Sequence, residues 1–363
     1  MIYNDFCGNK ISRLGFGAMR FPSEFSDVKA LIDKAMASGI NYYDTAYVYE
    51  NSEVLLGKAL KNYPRDKFYV TSKMPSWLVK DESDLERIFN ETLNRLGVDY
   101  IDYYLIHSVS DAKEIKNKNI YPYLMQKKME GKIKHLGFSI HAKVEVLEEM
   151  LEIGKFDFAQ IQLNYLDIIH EPGLAGLELL TKHNIPVVIM EPLKGGTLAQ
   201  MNDEIAKPFR QLGNKSNASY AFRWLMQYPN IKVILSGMTY MPQLEDNLLT
   251  FNEYIPLSKK EEKAIEEVKE NILKIQKVPC TGCKYCMPCP AGVNIPGNFK
   301  VWNTISFKKA TTNHNWISDT SVDPTSSPLK CVKCGKCMLH CPQKIQIPKM
   351  LEAMAKELNL KKE

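Results

Sequence analysis

A chain of 363 residues has room for one large domain of about 250 residues and a small second one. Its 45% apolar and 25% charged content is ordinary for a soluble globular protein, and no apolar run approaches the roughly 18 residues of a membrane helix, so no membrane span is expected. The net charge of +5 is uneven: from Val278 onward there are 12 Lys and no Arg against 5 Asp and Glu.

The opening MIYNDFCGNK has no charged-then-apolar leader, so a cytoplasmic protein with reduced thiols is expected. Gly8-Asn9 reads as a turn, predicting a hairpin that closes one end of the large domain. Cys7, isolated from the other cysteines, reads as a small apolar side chain. Then a rhythm sets in. LGFGAM is followed by a helical stretch over Asp27–Ser38, NYYDTA by Ser52–Lys61, KFYVTSK by Glu82–Leu96, and IDYYLIH by Ile120–Glu130. IKHLGFSI leads into Lys143–Leu151, FDFAQIQLN into Pro172–His183, IPVVIM into a region through Ala218–Gln227, and IKVILSG into Pro242–Phe251. Strand–helix alternation predicts parallel strands with helical crossovers. Eight such units in about 240 residues predict an α/β fold of the (β/α)8 TIM-barrel type over residues 1–257. An open dinucleotide-binding sheet fits less well: Gly15-Phe16-Gly17 lacks the third glycine of G-x-G-x-x-G, since position 20 is Arg, and no Gly-Lys is followed by Ser or Thr.

Chemistry in such a barrel sits at the C-terminal ends of the strands. Those ends carry Asp44, Lys73, His107, Ser139, Gln160 with Gln162, Glu191 and Ser236. Singly, each has a plain structural use, as an Asp after a strand commonly caps a turn or helix. An acid, a lysine and an imidazole on three consecutive strand ends point to a site.

After the barrel, Ser258 and Glu261 form a capping-box pattern, and Ala264, Ile265, Val268, Ile272 and Ile275 fall on one helical face. This predicts a connecting helix over residues 258–277. Residues 278–363 are then a separate small domain. Cys280, Cys283, Cys286 and Cys289 precede Pro290, and Cys331, Cys334, Cys337 and Cys341 precede Pro342. The copies share more than cysteines: CPAGVNIP and CPQKIQIP end alike, which marks an internal repeat. In two-cluster ferredoxins the cysteine before proline crosses to the other cluster. On that pattern Cys280, Cys283, Cys286 and Cys341 would hold one 4Fe–4S cluster, and Cys331, Cys334, Cys337 and Cys289 a second, in an α-rich ferredoxin-like domain. Four-cysteine zinc sites are the competing reading, although zinc usually takes C-x2-C pairs. The basic tail would offset the negative charge of such clusters, so no nucleic-acid partner is expected; an acidic electron carrier such as a ferredoxin is an alternative use of those lysines. Between the cysteine sets stand Trp302, Phe307 and Trp316, too aromatic for a disordered spacer. Pro348 with Met350, Leu351, Met354 and Leu358 predicts a closing amphipathic helix.

DTAYVY (Asp44–Tyr49) with Ser52-Glu53 and Gly57, then TSK, LIH, GFS, EPLKGG and SGM with Asp246-Asn247, resembles the aldo/keto reductase family; the tail resembles the ferredoxin-type extension of one subgroup. The resemblance implies a catalytic set of Asp44, Tyr49, Lys73 and His107, with Tyr49 as general acid in hydride exchange between NAD(P)H and a small carbonyl or alcohol. It implies nicotinamide contacts from Ser139, Gln160 and Met190, pyrophosphate contacts from Pro192, Leu193 and Gly195, and adenosine contacts from Ser236, Gly237, Gln243 and Asn247. Ile140 and His141 stand where relatives often have Asn after the serine. Gly237 and Gln243 are uncharged where NADPH-preferring relatives often carry Lys and Arg, which leaves NAD against NADP open. Two functions are compatible with these features: a nicotinamide-dependent oxidoreductase with accessory clusters, or an iron–sulfur electron-transfer protein that uses the barrel as a scaffold.

Overall fold

Strands β1 (Tyr3–Phe6) and β2 (Asn9–Ser12) pair antiparallel, with Phe6 opposite Asn9. The two residues between them, Cys7 (φ 54°) and Gly8 (φ 81°), are both left-handed, as a type I′ hairpin turn requires. The turn thus falls one residue earlier than the Gly8-Asn9 reading, because Asn9 is already paired. The structure is a computed structural model that describes residues 1–169, 172–309 and 322–361. Trp316 and the side chain of Phe307 lie outside this description.

Eight parallel strands come next: β3 (Leu14–Gly17), β4 (Tyr42–Asp44), β5 (Tyr69–Pro75), β6 (Ile101–Val109), β7 (Ile133–Ile140), β8 (Phe158–Gln162), β9 (Val187–Met190) and β10 (Ile231–Ser236). They close in sequence order, β10 pairing with both β9 and β3. The apolar runs are buried on both faces, as parallel strands under helices must be; in β6 only Ser108 is not buried. The intervening helices are cut by local chemistry. Helix Glu82–Leu96 starts where the Asp81 carboxylate accepts the Ser83 and Asp84 N–H groups, and stops at Gly97 (φ 66°); Leu85, Ile88, Phe89 and Leu96 form its buried face.

Phe6 enters the barrel interior. Its ring stacks on Tyr103 at 4.8 Å and meets Phe158 edge-on at 5.5 Å, and the Tyr103 hydroxyl donates to the Phe6 carbonyl at 3.1 Å. The hairpin therefore plugs one end. His107 lies four residues further along β6, some 13 Å away at ~3.3 Å per residue, at the end left for chemistry.

The chain forms two compact units, residues 1–192 with 221–256, and residues 193–220 with 257–363. The second has its own core. Helix Asp203–Arg210 is capped by Asn202, whose side-chain oxygen accepts from Ile205 N at 2.8 Å; it packs on helix Lys259–Ile275. The latter opens with the Ser258–Glu261 capping box and buries Ala264, Ile265, Val268 and Ile272. The sequence repeat is a repeat of burial: Val293 with Ile345, and Ile295 with Ile347, all enter one cluster with Phe299, Trp302, Leu351 and Met354. Each copy runs into a helix with proline in its first turn, Ile295–Lys309 and Ile347–Glu357.

Candidate active site and cysteine centres

Asp44 ends β4, and Lys73 stands in β5 beside it. Lys73 is wholly buried and its ammonium donates to Asp44 Oδ1 and to the Thr45 carbonyl, both at 2.6 Å. Burial pulls the Lys73 pKa down and pushes that of Asp44 up, while each partner opposes the shift of the other. Two oxygen acceptors at that distance keep the ammonium form in place. The Lys73 nitrogen lies 5.1 Å from the centre of the Tyr49 ring, and the Tyr49 ring meets His107 edge-on at 5.7 Å. His107, 2% exposed, is held well below the ordinary imidazole range by burial first, then by Lys73 and by His141. It is neutral at physiological pH.

Four tyrosines crowd this part of the sequence, and their surroundings separate them. Tyr42 and Tyr43 are fully buried, Tyr43 donating to the Ile40 carbonyl at 3.0 Å. Tyr47 donates to Glu91 at 2.6 Å and faces Arg95. Tyr49 is the one whose ring lies near both Lys73 and His107. It sits in the turn after β4, fixed by its N–H to Ala46 O at 3.0 Å and by Ser52 N to its own carbonyl at 2.8 Å. Trp77 packs at 5.2 Å from His107. Trp224 lies edge-on to Tyr228.

In the later strands, Ser139 is buried and its hydroxyl oxygen accepts from Ser108 N at 2.7 Å, just where β6 breaks register after Ile106. His141 is buried too. Gln160 is buried in the middle of β8, and its Oε1 has no hydrogen-bond partner among the described residues. Gln162 is tied to Asp167 at 3.1 Å, and Asn164 bridges Asp167 to the Glu191 carbonyl. Met190 is partly buried and Pro192 buried. After β10, Asn247 donates to Ser236 Oγ at 2.9 Å. Gln243 caps its own helix, its Oε1 accepting from Thr239 N at 2.8 Å and Tyr240 N at 3.1 Å. A cation that sequence reasoning used only to reject a glycine motif stands nearby: Arg20 Nη1 is 4.0 Å from where a Cβ on Gly237 would be. No local sequence signal joins those two positions.

Within the second unit, Leu193 (φ −111°, ψ 13°) is followed by Lys194 (φ 47°), Gly195 (φ 64°) and Gly196 (φ 98°). A right-handed residue followed by a left-handed one turns successive N–H groups to one side, an arrangement suited to anions. Lys194 is buried.

The eight cysteines of the tail line two separate spaces. One is lined by Cys280, Cys283, Cys286 and Cys341, the other by Cys289, Cys331, Cys334 and Cys337. Each set takes its fourth thiol from the other run. Apolar side chains complete both walls, among them Ile295, Phe299 and Ile345 in the first and Ile295 and Leu351 in the second. Burial, then neighbouring thiols, raise Cys286 to about 12, and burial foremost raises Cys337. Gathered thiols that resist ionisation by themselves fit a cationic iron centre, which deprotonates its ligands. Among the described residues no three His, Cys, Asp or Glu converge as a single metal ion would require. Cys7 stays apart, its thiol 3.5 Å from the Asp157 carbonyl and raised to about 12 by burial.

Residues 13–270 match the aldo/keto reductase family, and residues 279–345 match the 4Fe-4S dicluster domain. Among curated proteins, the chain is 25% identical over 302 residues to an uncharacterized oxidoreductase, YqkF, of Bacillus subtilis (strain 168), covering 74% of this chain and 96% of that one. It is 28% identical over 270 residues to the NADH-specific methylglyoxal reductase of Escherichia coli (strain K12), covering 60% and 81%. Among solved structures, the holo form of aldo-keto reductase AKR11C1 from Bacillus halodurans superposes with a TM-score of 0.64 at 22% identity, over 74% of this chain and 96% of that one. No helix among the described residues is long and apolar enough to cross a membrane.

Proposed function

The chain belongs to the aldo/keto reductase family and ends in a 4Fe-4S dicluster domain, and from that premise we propose that it interconverts a small carbonyl compound and its alcohol with NAD(P)(H). The observation that carries this reading is the buried Lys73 ammonium, 2.6 Å from Asp44 and 5.1 Å from the centre of the Tyr49 ring, with the His107 ring edge-on to that ring at 5.7 Å. A bound nicotinamide supplies the hydride. The carbonyl oxygen then needs a proton and a polarising partner. Tyr49 gives the proton: a free phenol titrates near ~10, and the Lys73 charge stabilises its phenolate. Asp44 holds Lys73 in place. His107, neutral because it is buried, orients the substrate oxygen by a hydrogen bond. Ser139 and Gln160 hold the nicotinamide carboxamide; the unpartnered buried Oε1 of Gln160 supports that role. Met190 covers the ring, the residues from Pro192 through Leu193 to Gly195 receive the pyrophosphate, and Ser236, Gly237, Gln243 and Asn247 receive the adenosine end. Arg20 beside Gly237 supports NADPH as the preferred form.

In the tail, Cys280, Cys283, Cys286 and Cys341 hold one 4Fe–4S cluster and Cys331, Cys334, Cys337 and Cys289 the other. Clusters bound there exchange single electrons. Cys334 is exposed and follows exposed Val332 and Lys333, with exposed Lys336 two residues on. Exposed lysines beside a cluster ligand favour an acidic one-electron carrier as partner, in a cytoplasm where thiols stay reduced.

Tyr49→Phe tests the first reading. Turnover of an aldehyde panel with NADPH or NADH should fall by about 10²–10⁴-fold, with nucleotide affinity and cluster absorbance unchanged. Unaltered turnover would remove Tyr49 from the chemistry, and a wild type with no nicotinamide-linked turnover would leave the barrel as a scaffold for the clusters.

A further inference from the structure

Gly195 lies against the first cysteine run inside the second unit. A Cβ there would stand 2.1 Å from the Thr281 carbonyl oxygen and 3.2 Å from its Cα, and the backbone is left-handed at φ 64°. Both facts require glycine. Thr281 follows the ligand-set residue Cys280, is 6% exposed, and lines the same space as Cys280, Cys283, Cys286 and Cys341. The segment after Gly195 is anchored to the same unit. Asn217 donates to the Ala199 carbonyl at 3.1 Å, and helix Asp203–Arg210 packs on Lys259–Ile275, the helix that leads into Cys280. The loop Leu193–Gly196 thus rests on backbone that wraps the first cysteine set.

We propose that Thr281 is a positioning residue for the nucleotide. The cluster held by Cys280, Cys283, Cys286 and Cys341 sets the shape and charge beside the Leu193–Gly196 loop through the Gly195–Thr281 contact, so nucleotide affinity depends on the oxidation state of that cluster. This rests on the reading that the loop receives the pyrophosphate. Reduction passes one electron from an external low-potential donor to the cluster, with no proton and no bond made or broken. The added negative charge next to the loop opposes an anionic ligand. NADPH therefore binds the reduced protein more weakly, by at least about fivefold, the lower end of ordinary coupling between sites. Linkage is reciprocal: nucleotide binding must make the cluster harder to reduce by the same factor. A tenfold difference in affinity corresponds to a fall of about 59 mV for one electron.

The test is an anaerobic redox titration of the loaded full-length protein, followed by electron paramagnetic resonance, with and without saturating NADPH or NADH. Nucleotide should lower the potential of one of the two clusters and leave the other. Two variants separate contact from strain. Gly195→Ala forces Thr281 to move and should shift that cluster's resonance and abolish its response to nucleotide. Gly196→Ala has the same left-handed handicap at φ 98° but nothing within 4 Å of the new methyl group, so it should weaken nucleotide binding and leave the cluster potential unchanged. If the wild-type protein binds NADPH equally well in both oxidation states with unmoved potentials, the proposal is overturned while the nucleotide reading stands. Equal effects of the two variants on the cluster would also overturn it. If the loaded wild type binds neither nucleotide, the proposed function itself fails.

Discussion

Lys73→Met removes the cation that Asp44 meets at 2.6 Å. Attraction across that distance is about 6 kcal/mol at an effective dielectric of ~20, set against a desolvation cost of several kcal/mol for each ion. The intact pair therefore nets little, whereas half of it costs a great deal. Lys73→Met leaves a carboxylate buried at 4% exposure, and the expected loss is about 3–5 kcal/mol of barrel stability. Adding Asp44→Asn should restore most of that loss, since neither charge is then buried alone. Turnover should not return, because the phenolate of Tyr49 still lacks its cation. Stability would be read by denaturant unfolding of the barrel through tryptophan fluorescence, and turnover by NADPH oxidation. A single variant that loses less than about 1 kcal/mol would place Lys73 in solvent-like surroundings and refute the buried-pair reasoning. A double variant that regains turnover would remove Lys73 from the chemistry.

The cysteine crossing has a direct signature: Cys289→Ser should alter the resonance of the cluster that Cys334→Ser alters, and Cys341→Ser that of the cluster Cys280→Ser alters. Partners sorted by run instead of by crossing would contradict the assignment. Arg20→Ala should weaken NADPH binding by about tenfold while sparing NADH, as loss of one charge-assisted contact predicts; equal weakening of both would dissociate Arg20 from the 2′-phosphate. His107 should stay neutral as the pH falls through the range where a free imidazole takes up its proton, because burial holds it well below that range, visible as an imidazole resonance that does not titrate there. The sign is set by burial: a free imidazole titrates near ~6.5, so below that pH the unfolded chain binds the proton that His107 refuses. Its contribution to stability is full above about pH 6.5 and declines as pH falls. His107→Gln should flatten that part of the stability profile. Lys333→Glu with Lys336→Glu should slow electron exchange with an acidic carrier and weaken its salt dependence, measured by stopped-flow cluster bleaching.

The barrel was legible because its strands are written as runs that cannot face water. IDYYLIH and IKHLGFSI carry apolar residues on both faces, and the helix over Glu82–Leu96 is bounded by Asp81 and Gly97 in the sequence itself. The gathering of Asp44, Lys73 and His107 came from parallel strands alone, since neighbouring strand ends must meet. Tyr49 was different. Four tyrosines share one stretch, and only the buried environments of Tyr42 and Tyr43 and the Glu91 contact of Tyr47 separate them; the family resemblance had to select it. The cysteine pattern carried its own geometry, because a repeated run of three with a fourth before proline is a local rule. Contacts between distant backbone groups carry no local signal. Nothing near Gly195 announces Thr281, and nothing near Gly237 announces Arg20. The grouping of residues 193–220 with the tail escaped for the same reason: helix Asp203–Arg210 buries Ile205, Ala206 and Phe209 as any barrel helix would, and sequence does not say against what.

The exchange of the fourth cysteine between runs also sets a timetable. The space lined by Cys280, Cys283 and Cys286 lacks its last wall until Cys341 has been synthesised, some fifty residues later. Neither set is complete before the second run has been made, so both spaces lack a wall until the chain has been built through that run. A chain that stops just short of Cys341 forfeits a thiol of the first set while the second set keeps all four of its own, so premature termination there leaves one of the two cysteine sets whole.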